Sequence, residues 1–375
     1  MKIIAFYLPQ FHCIPENDGW WGKGFTEWVN VKGAKALFPG HNQPRVPLNN
    51  NYYNLLEDDV KKWQVNIANE YGVYGFCFYH YWFDGHMLLQ KPVEQFLNNK
   101  DLNIHYCICW ANEHWTNAWS GKEAKVLIAQ KYGGKKEWIE HFNYLLPFFK
   151  DDRYIKKDNK PLFVLYRPEI IDCLNDMLEV WNEEARKNGF DGIAFAYQHA
   201  GFTVAPNCDE SHFTYALEYH PNCAQVFMSM EHHPKLQQMK KGMITFVENK
   251  MGINLREKRK KNKLAHYDYD TLWNYILNMK PRNEKCVPGA FVDWDNTPRR
   301  GERGFIVDGA TPDKFYHYMK KQIVHAKNDY HKDMIFVFSW NEWAEGGYLE
   351  PDTHNQYGYL EAIHRALLET GELEK

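Results

Sequence analysis

The sequence lacks the features that mark several large functional classes. Among its 375 residues, 45 Lys and Arg nearly balance 48 Asp and Glu, so the formal net charge is only -3. Proteins that bind nucleic acid carry a strongly basic face, and no such partner is expected here. No apolar run reaches the roughly 18 residues that a membrane span needs. The first apolar run stops at Pro9, too early for a secretory signal. A soluble, cytoplasmic protein is therefore expected.

Motifs for common catalytic machinery are absent as well. There is no G-x-S-x-G elbow, no P-loop and no Gly-rich dinucleotide fingerprint after the first apolar run. The eight cysteines include no C-x-x-C pair, and those inside apolar runs have the pattern of small buried side chains. No cofactor and no metal are predicted. A metal bound by converging histidines is the weaker alternative, and its ligands would be His80, His114, His199 and His220.

Aromatic residues, by contrast, are abundant. They make up 16 % of the chain and include 14 Trp and 24 Tyr, more than a core of this size requires. Trp and Tyr rings often stack on apolar C–H faces, which sugar rings present. The composition therefore favours a carbohydrate partner, although a Trp-rich core explains any single Trp as well.

Eight short apolar runs recur along the chain, each followed by polar and aromatic residues. Such runs are typical of strands buried on both faces of a parallel sheet. Helical periodicity lies between most of them, at 55–72, 135–149, 170–189, 269–279, 311–329 and 355–373. This alternation predicts an α/β fold, a (β/α)8 TIM barrel forming one domain over residues 1–375, with an open doubly wound sheet as the alternative. The runs are 2–12, 71–82, 104–115, 161–169, 191–200, 212–221, 288–298 and 333–343.

Two segments are longer than a connector requires. Residues 13–54, after the first predicted strand, are rich in Gly, Pro, Asn and Trp. Residues 222–268, after the sixth, contain the basic run "REKRKKNK" at 256–263. A solvated surface is the favoured interpretation of that run, and an anionic-ligand patch is the alternative.

The carboxyl ends of the predicted strands indicate where the chemistry lies. In a (β/α)8 barrel the active site occupies this end, and all eight runs finish here in polar or aromatic residues. Eight such ends predict one shared pocket that suits a carbohydrate. The candidate substrate-binding residues are Tyr7, His12, Trp28, His80, Trp82, Trp110, Asn112, Glu113, Tyr197, Glu218, Asp293, Trp294, Asn341 and Trp343.

Two carboxylates stand out in "FSWNEWAEGGYLEPD", residues 338–352. Glu342 lies at the end of the eighth run and Glu345 just after it, among aromatic residues. Glycoside hydrolysis needs two carboxyl groups beside the scissile bond, and crowding raises the pKa of one of them, as a general acid requires. Simpler alternatives are a strand-end ion pair for Glu342 and a helix-start carboxylate for Glu345. Glu113 and Glu218 fit either positioning or catalysis.

The stretch "WNEWAEG", followed by "EPD", resembles the strand-eight motif of glycoside hydrolase family 99, the endo-α-mannosidase family. "AFYLPQFH", "GFTEWVNVKGAKALFPGHNQPRVP", "GFCFYHYWFDG" and "CWANEHWTNAW" resemble the related WbsX-type proteins, which occur with surface-polysaccharide biosynthesis and are often labelled glycosyltransferases. The resemblance spans nearly the whole chain. It implies a (β/α)8 barrel and a retaining reaction on an α-linked glycan.

The resemblance also implies roles for the two glutamates. Glu342 matches the residue that removes a proton from the sugar's 2-hydroxyl, giving a 1,2-anhydro intermediate, and Glu345 matches the general acid and later base. Ala344 departs from the motif, because the hydrolases have His there. A sugar-nucleotide-dependent glycosyltransferase, using the D-x-D triplet at Asp293 and Asp295, is one alternative. A non-catalytic glycan-binding barrel is the other.

Overall fold

The computed structural model describes residues 1–117, 125–199, 209–232 and 264–373. Its main sheet contains nine parallel strands in a ring. The predicted eight-strand barrel is confirmed, with the seventh strand divided in two. The strands are β1 (Lys2–Tyr7), β2 (Gly75–Phe83), β3 (His105–Trp110), β4 (Lys160–Leu165), β5 (Ala194–His199), β6 (Phe213–Glu218), β7 (Cys286–Val287), β8 (Gly289–Phe291) and β9 (Met334–Phe338).

The ring closes through β7 and β8. The first of these pairs with β6 and the second pairs with β9, and only Pro288 separates them. A proline has no N–H to donate to a neighbouring strand, so the ladder changes partner at this residue. One chain segment therefore fills the seventh position of the barrel.

Helices surround the sheet. Periodicity alone predicted six of them, and the structure confirms these six. Five are shorter than predicted, and the helix predicted at 135–149 extends one residue further, to Lys150. Gly72 and Gly189, at φ of 81° and 89°, closely follow the helices Asp58–Glu70 and Leu174–Lys187, as helix-ending glycines do. The helices are α1 (Pro15–Trp21), α2 (Glu27–Gly33), α3 (Asp58–Glu70), α4 (Lys91–Asn98), α5 (Lys135–Lys150), α6 (Leu174–Lys187), α7 (Asn222–His232), α8 (Tyr269–Asn278), α9 (Thr297–Arg300), α10 (Pro312–Asn328) and α11 (Gly358–Glu369).

The predicted insertions follow β1 and β6. The first, between β1 and α3, contains α1 and α2. The second begins with α7, and its basic run at 256–263 falls outside the described residues. Within the described ranges, no helix is long and apolar enough to cross a membrane. Short strands pair as Ala265–Asp268 with Phe305–Asp308, Trp115–Thr116 with Val126–Ile128, Asn341–Glu342 with Gly347–Tyr348, His86–Leu88 with β2, and Lys156–Lys157 with β4.

Side chains alternate between the barrel interior and the helix layer. Phe6 contacts Tyr79, Tyr219 and Phe336 across the interior, with ring centroids 5.5–5.7 Å apart. Phe78, next to Tyr79 in β2, instead packs on Phe96 of α4 at 5.3 Å. Both faces are buried, so the face of each residue decides what it can reach.

Candidate active site

The two glutamates of the "WNEWAEG" stretch lie at the carboxyl end of the barrel, just beyond β9. Glu342 is in a short strand that pairs with Gly347, and Glu345 ends the one-turn helix that follows. Gly346 then turns the chain at φ 71°, where a Cβ would meet the Asp295 backbone nitrogen at 2.7 Å. This turn therefore requires glycine. The side chain of Glu342 is 7 % exposed, whereas that of Glu345 is 21 % exposed.

Arg299 of α9 binds both glutamates. Its two terminal nitrogens lie 3.0 Å from Glu342 Oε2 and 2.7 Å from Glu345 Oε1. Its Nε lies 2.8 Å from Oε1 of Glu27, a fully buried residue of α2. The carboxylates of Glu27, Glu342 and Glu345 therefore all bind the same guanidinium group. The sequence analysis did not select Arg299 or Glu27.

Burial makes Glu342 a weaker acid than an ordinary glutamate. Desolvation is the largest effect and raises the pKa of Glu342 to about 8, against the opposing effect of Arg299. The charges of Glu345 and Glu27 raise this pKa further. The same three carboxylates hold the pKa of Arg299 well above its ordinary value despite its burial, so it stays a cation. A carboxyl that titrates near neutral pH is suited to proton transfer.

Four interior tyrosines lie near the two glutamates. Burial raises the pKa of each hydroxyl, and the charge of Glu342 or Glu345 raises it further, which places these rings near the carboxylates. The hydroxyls of Tyr79 and Tyr219 are 3.4 Å apart, and Gln198 Nε2 donates to Tyr79 at 3.4 Å. The tyrosines are Tyr79, Tyr81, Tyr166 and Tyr219. None was among the selected site residues. Tyr79, Tyr81 and Tyr219 each lie next to one that was, whereas Tyr166 is far in the sequence from all of them.

Six of the predicted substrate-binding residues face the helix layer instead, which corrects their expected place in the pocket. Tyr7 donates to Gln64 of α3 at 2.7 Å, and Glu218 accepts from Tyr330 at 2.8 Å. In a strand buried on both faces, apolar patterning does not reveal which side chains point inward. His80, Trp82 and Trp110 contact His141 of α5, and Tyr197 accepts from Arg282.

His12 is a buried residue just beyond β1. Desolvation lowers its pKa to about 4, and the nearby charges of Lys91 and Lys61, on α4 and α3, lower it further.

Other predicted residues support the site rather than line it. Asn341 binds the backbone of Leu8 through both amide atoms, at 2.7 and 3.0 Å. Trp343 donates to Glu350 at 2.7 Å and packs 5.5 Å from Trp28. These contacts fix the Glu342 segment against β1 and α2.

The ends of β3 and β8 hold the remaining predicted residues. Asn112 exchanges hydrogen bonds with the Arg167 backbone at 2.8 and 2.7 Å, and Glu113 pairs with the Arg167 guanidinium at 2.5 Å. Glu113 is partly exposed at the rim. Trp294 stacks on Phe305 and contacts Phe338, with centroids 5.0 and 4.9 Å away.

Both aspartates of the D-x-D triplet already have protein partners. Asp293 pairs with Arg45 at 2.8 Å. Asp295 accepts hydrogen bonds from Gln43 at 2.7 Å and Thr297 at 2.6 Å, and His41 lies 2.8 Å away. Across the described ranges, no group of three or more His, Cys, Asp or Glu side chains is arranged to hold a metal ion.

Comparison with known proteins shows the family of this chain. A model of the family described as "Glycosyltransferase WbsX" matches residues 3–363. The chain belongs to the WbsX family. It is 34 % identical over 374 residues to "Uncharacterized protein WxcX" of Xanthomonas campestris pv. campestris strain ATCC 33913. A second WxcX protein, from strain B100, is 34 % identical over 371 residues. The match covers 97 % of this chain and 49 % of either relative, so the chain spans about half their length.

Solved structures resemble this WbsX-family chain in fold. A GH99 endo-alpha-mannosidase from Bacteroides thetaiotaomicron, in complex with BIS-TRIS-Propane, has a TM-score of 0.58 at 14 % identity, covering 99 % of this chain and 98 % of the other. A structure named "Glycoside hydrolase-like protein" has a TM-score of 0.54 at 10 % identity, covering 97 % and 93 %. At such identities the likeness establishes the shared barrel.

Proposed function

We propose that this chain is a retaining, metal-independent enzyme that processes an α-linked glycan or lipid-linked oligosaccharide in cell-surface polysaccharide metabolism. The observation that carries the proposal is the buried cluster of Glu342 and Glu345 on Arg299, at the end of the barrel where such enzymes bind substrate. The family membership and the GH99-like fold are consistent with it.

Each glutamate has its own role in the proposed reaction. Glu342 accepts the proton of the sugar's 2-hydroxyl while that oxygen attacks the anomeric carbon and the glycosidic bond breaks. Glu345, the more exposed of the two, gives a proton to the departing oxygen. Glu345 then activates water, which opens the 1,2-anhydro ring, and O2 recovers its proton from Glu342. The 2-hydroxyl is a weak acid, so its deprotonation needs a strong base. The raised pKa of Glu342 makes it a stronger base than an ordinary glutamate.

The roles are tested by changing each glutamate to glutamine and comparing aryl α-glycosides with good and poor leaving groups. Glu342→Gln should lower kcat about 10²–10⁴-fold with either substrate, because both need the 2-hydroxyl deprotonated. Glu345→Gln should lose far less with the good leaving group, which departs without a proton. Glu183→Gln, an exposed change on α6, is the control. Wild-type activity in both site variants would refute the assignment.

The family's description supports a second candidate, a sugar-nucleotide-dependent glycosyltransferase. A D-x-D triplet usually serves such enzymes by holding a metal and the diphosphate. Here Arg45, Gln43 and Thr297 already occupy the two carboxylates, which argues against that use. Calorimetry with a panel of sugar nucleotides, with and without Mn²⁺, separates the candidates. Metal-dependent binding that Asp293→Asn abolishes would favour the transferase.

A further inference from the structure

Four buried polar side chains lie together beside the Glu342–Arg299–Glu345 cluster. Gln10 follows β1, Tyr81 is in β2, Trp115 follows β3, and Glu27 comes from α2; each is at most 8 % exposed. Gln10 Nε2 lies 3.4 Å from the Tyr81 hydroxyl, and Gln10 O accepts from the Glu27 backbone at 3.0 Å. The rings of Tyr81 and Trp115 meet edge to face at 5.0 Å.

The group borders the proposed catalytic pair. Glu27 binds Arg299 through Oε1. Burial is the main reason that the pKa of Tyr81 is raised, and the charges of Glu342, Arg299 and Glu27 all act on it. Tyr81 therefore contacts Gln10 and is also within electrostatic reach of the ionised cluster.

Three polar atoms of this group are buried without a hydrogen-bond partner in the described structure. They are Gln10 Oε1 and Glu27 Oε2, which are acceptors, and Trp115 Nε1, which is a donor. Buried polar atoms are rarely left unsatisfied, because removing them from water without compensation is costly. Acceptors and a donor side by side match hydroxyl groups, which donate and accept at once.

We propose that Gln10, Glu27, Tyr81 and Trp115 form the subsite that holds the hydroxyls of the sugar ring next to the reacting bond, and that this ring is uncharged. The proposal rests on the proposed function and names its substrate class. The unsatisfied atoms supply the contacts.

The charge balance supports an uncharged ring. In the proposed reactive state Glu345 carries a proton, so one guanidinium, that of Arg299, faces two ionised carboxylates, Glu27 and Glu342. A uronic acid or phosphorylated sugar would bring a further negative group against Glu27, whose free oxygen accepts hydrogen bonds and repels anions. The same excess of negative charge disfavours a sugar diphosphate in this position.

The test combines substrates that lack one hydroxyl group with enzyme variants that lack one hydrogen-bonding group. Aryl α-hexopyranosides, their monodeoxy analogues and the matching hexuronides are measured by turnover and by calorimetric binding. Trp115→Phe, which removes only the N–H and the second ring, should lower kcat/KM for the parent hexoside about tenfold. That loss should vanish for one deoxy analogue. The hexuronide should be at least tenfold poorer than the hexoside, and Glu27→Gln should narrow that gap.

Trp181→Phe is the matched control, because the indole N–H of Trp181 already donates to the carbonyl of Trp138, a residue of α5, at 2.9 Å. It should lower stability without changing the pattern across deoxy analogues. The subsite would be overturned if Trp115→Phe lowered kcat/KM by the same factor for every analogue. It would also be overturned if the enzyme turned over hexuronides as efficiently as hexosides. Neutral glycosides that bind through Trp115 without turning over would instead refute the proposed reaction and uphold the subsite.

Discussion

At the scale of single residues, the face of the strand matters as much as the position along it. Tyr79 and His80 are neighbours in β2, yet the first contacts Tyr219 in the barrel interior and the second contacts His141 in the helix layer. On several strand ends the predicted substrate-binding set took a residue that faces outward. Arg299, the only cation bonded to both glutamates among the described residues, lies four residues beyond Asp295.

The pKa of Glu342 predicts how activity depends on pH. If Glu342 is the base, it must be ionised, so kcat/KM should rise with pH through about 8. In Glu345→Gln, the loss of a neighbouring negative charge lowers the pKa of Glu342, so the rise should occur at lower pH. Both pH profiles can be measured with an aryl α-glycoside whose aryl group is a good leaving group. Wild-type activity that instead falls as pH rises through 8 would make Glu342 the proton donor.

At the scale of secondary-structure elements, β8 packs very closely against β6. A Cβ on Gly289 would lie 1.7 Å from the carbonyl oxygen of Glu218, a backbone atom that cannot move alone. The seventh position of the barrel therefore depends on a residue without a side chain. This glycine also follows Pro288, where the ladder changes partner.

Gly289→Ala should destabilise the protein by about 3 kcal/mol or more, because two strands must separate to admit the methyl group. Chemical denaturation followed by circular dichroism measures the change. Gly19→Ala is the control, since its Cβ would meet nothing within 4 Å and its helical backbone accepts alanine. Equal midpoints for the two variants would contradict the tight packing.

At the scale of the whole molecule, the first insertion runs across the barrel mouth from β1, past β9, to the segment after β8. It leaves β1, contributes Glu27 to the glutamate cluster, and then binds the segment after β8 through Gln43 and Arg45. Arg45 also donates to the Gly346 carbonyl at 3.1 Å, beside Glu345. This insertion thus holds the two catalytic candidates from both flanks.

Asp295→Ala should loosen this attachment, because Gln43, Thr297 and His41 lose a shared buried partner. The expected cost is ~3 kcal/mol, together with faster cleavage within residues 34–47 and lower activity. Urea denaturation and limited proteolysis, with cleavage sites mapped by mass spectrometry, measure both effects. Asp308→Ala, which breaks a half-exposed pair with His266, should change little. Unchanged cleavage in Asp295→Ala would show that the other contacts suffice.

The sequence by itself determined the alternation of strands and helices, the two insertions and the edge of the barrel where Glu342 and Glu345 lie, because apolar runs and helical periodicity are local properties. Only the tertiary structure decided which strand-end residues share the interior. In strands buried on both faces, Tyr7 and Phe6 look alike, and closing the barrel sends them to opposite sides. The same closure brings Glu27 and Arg299, distant in the chain, onto one buried cluster with Glu342.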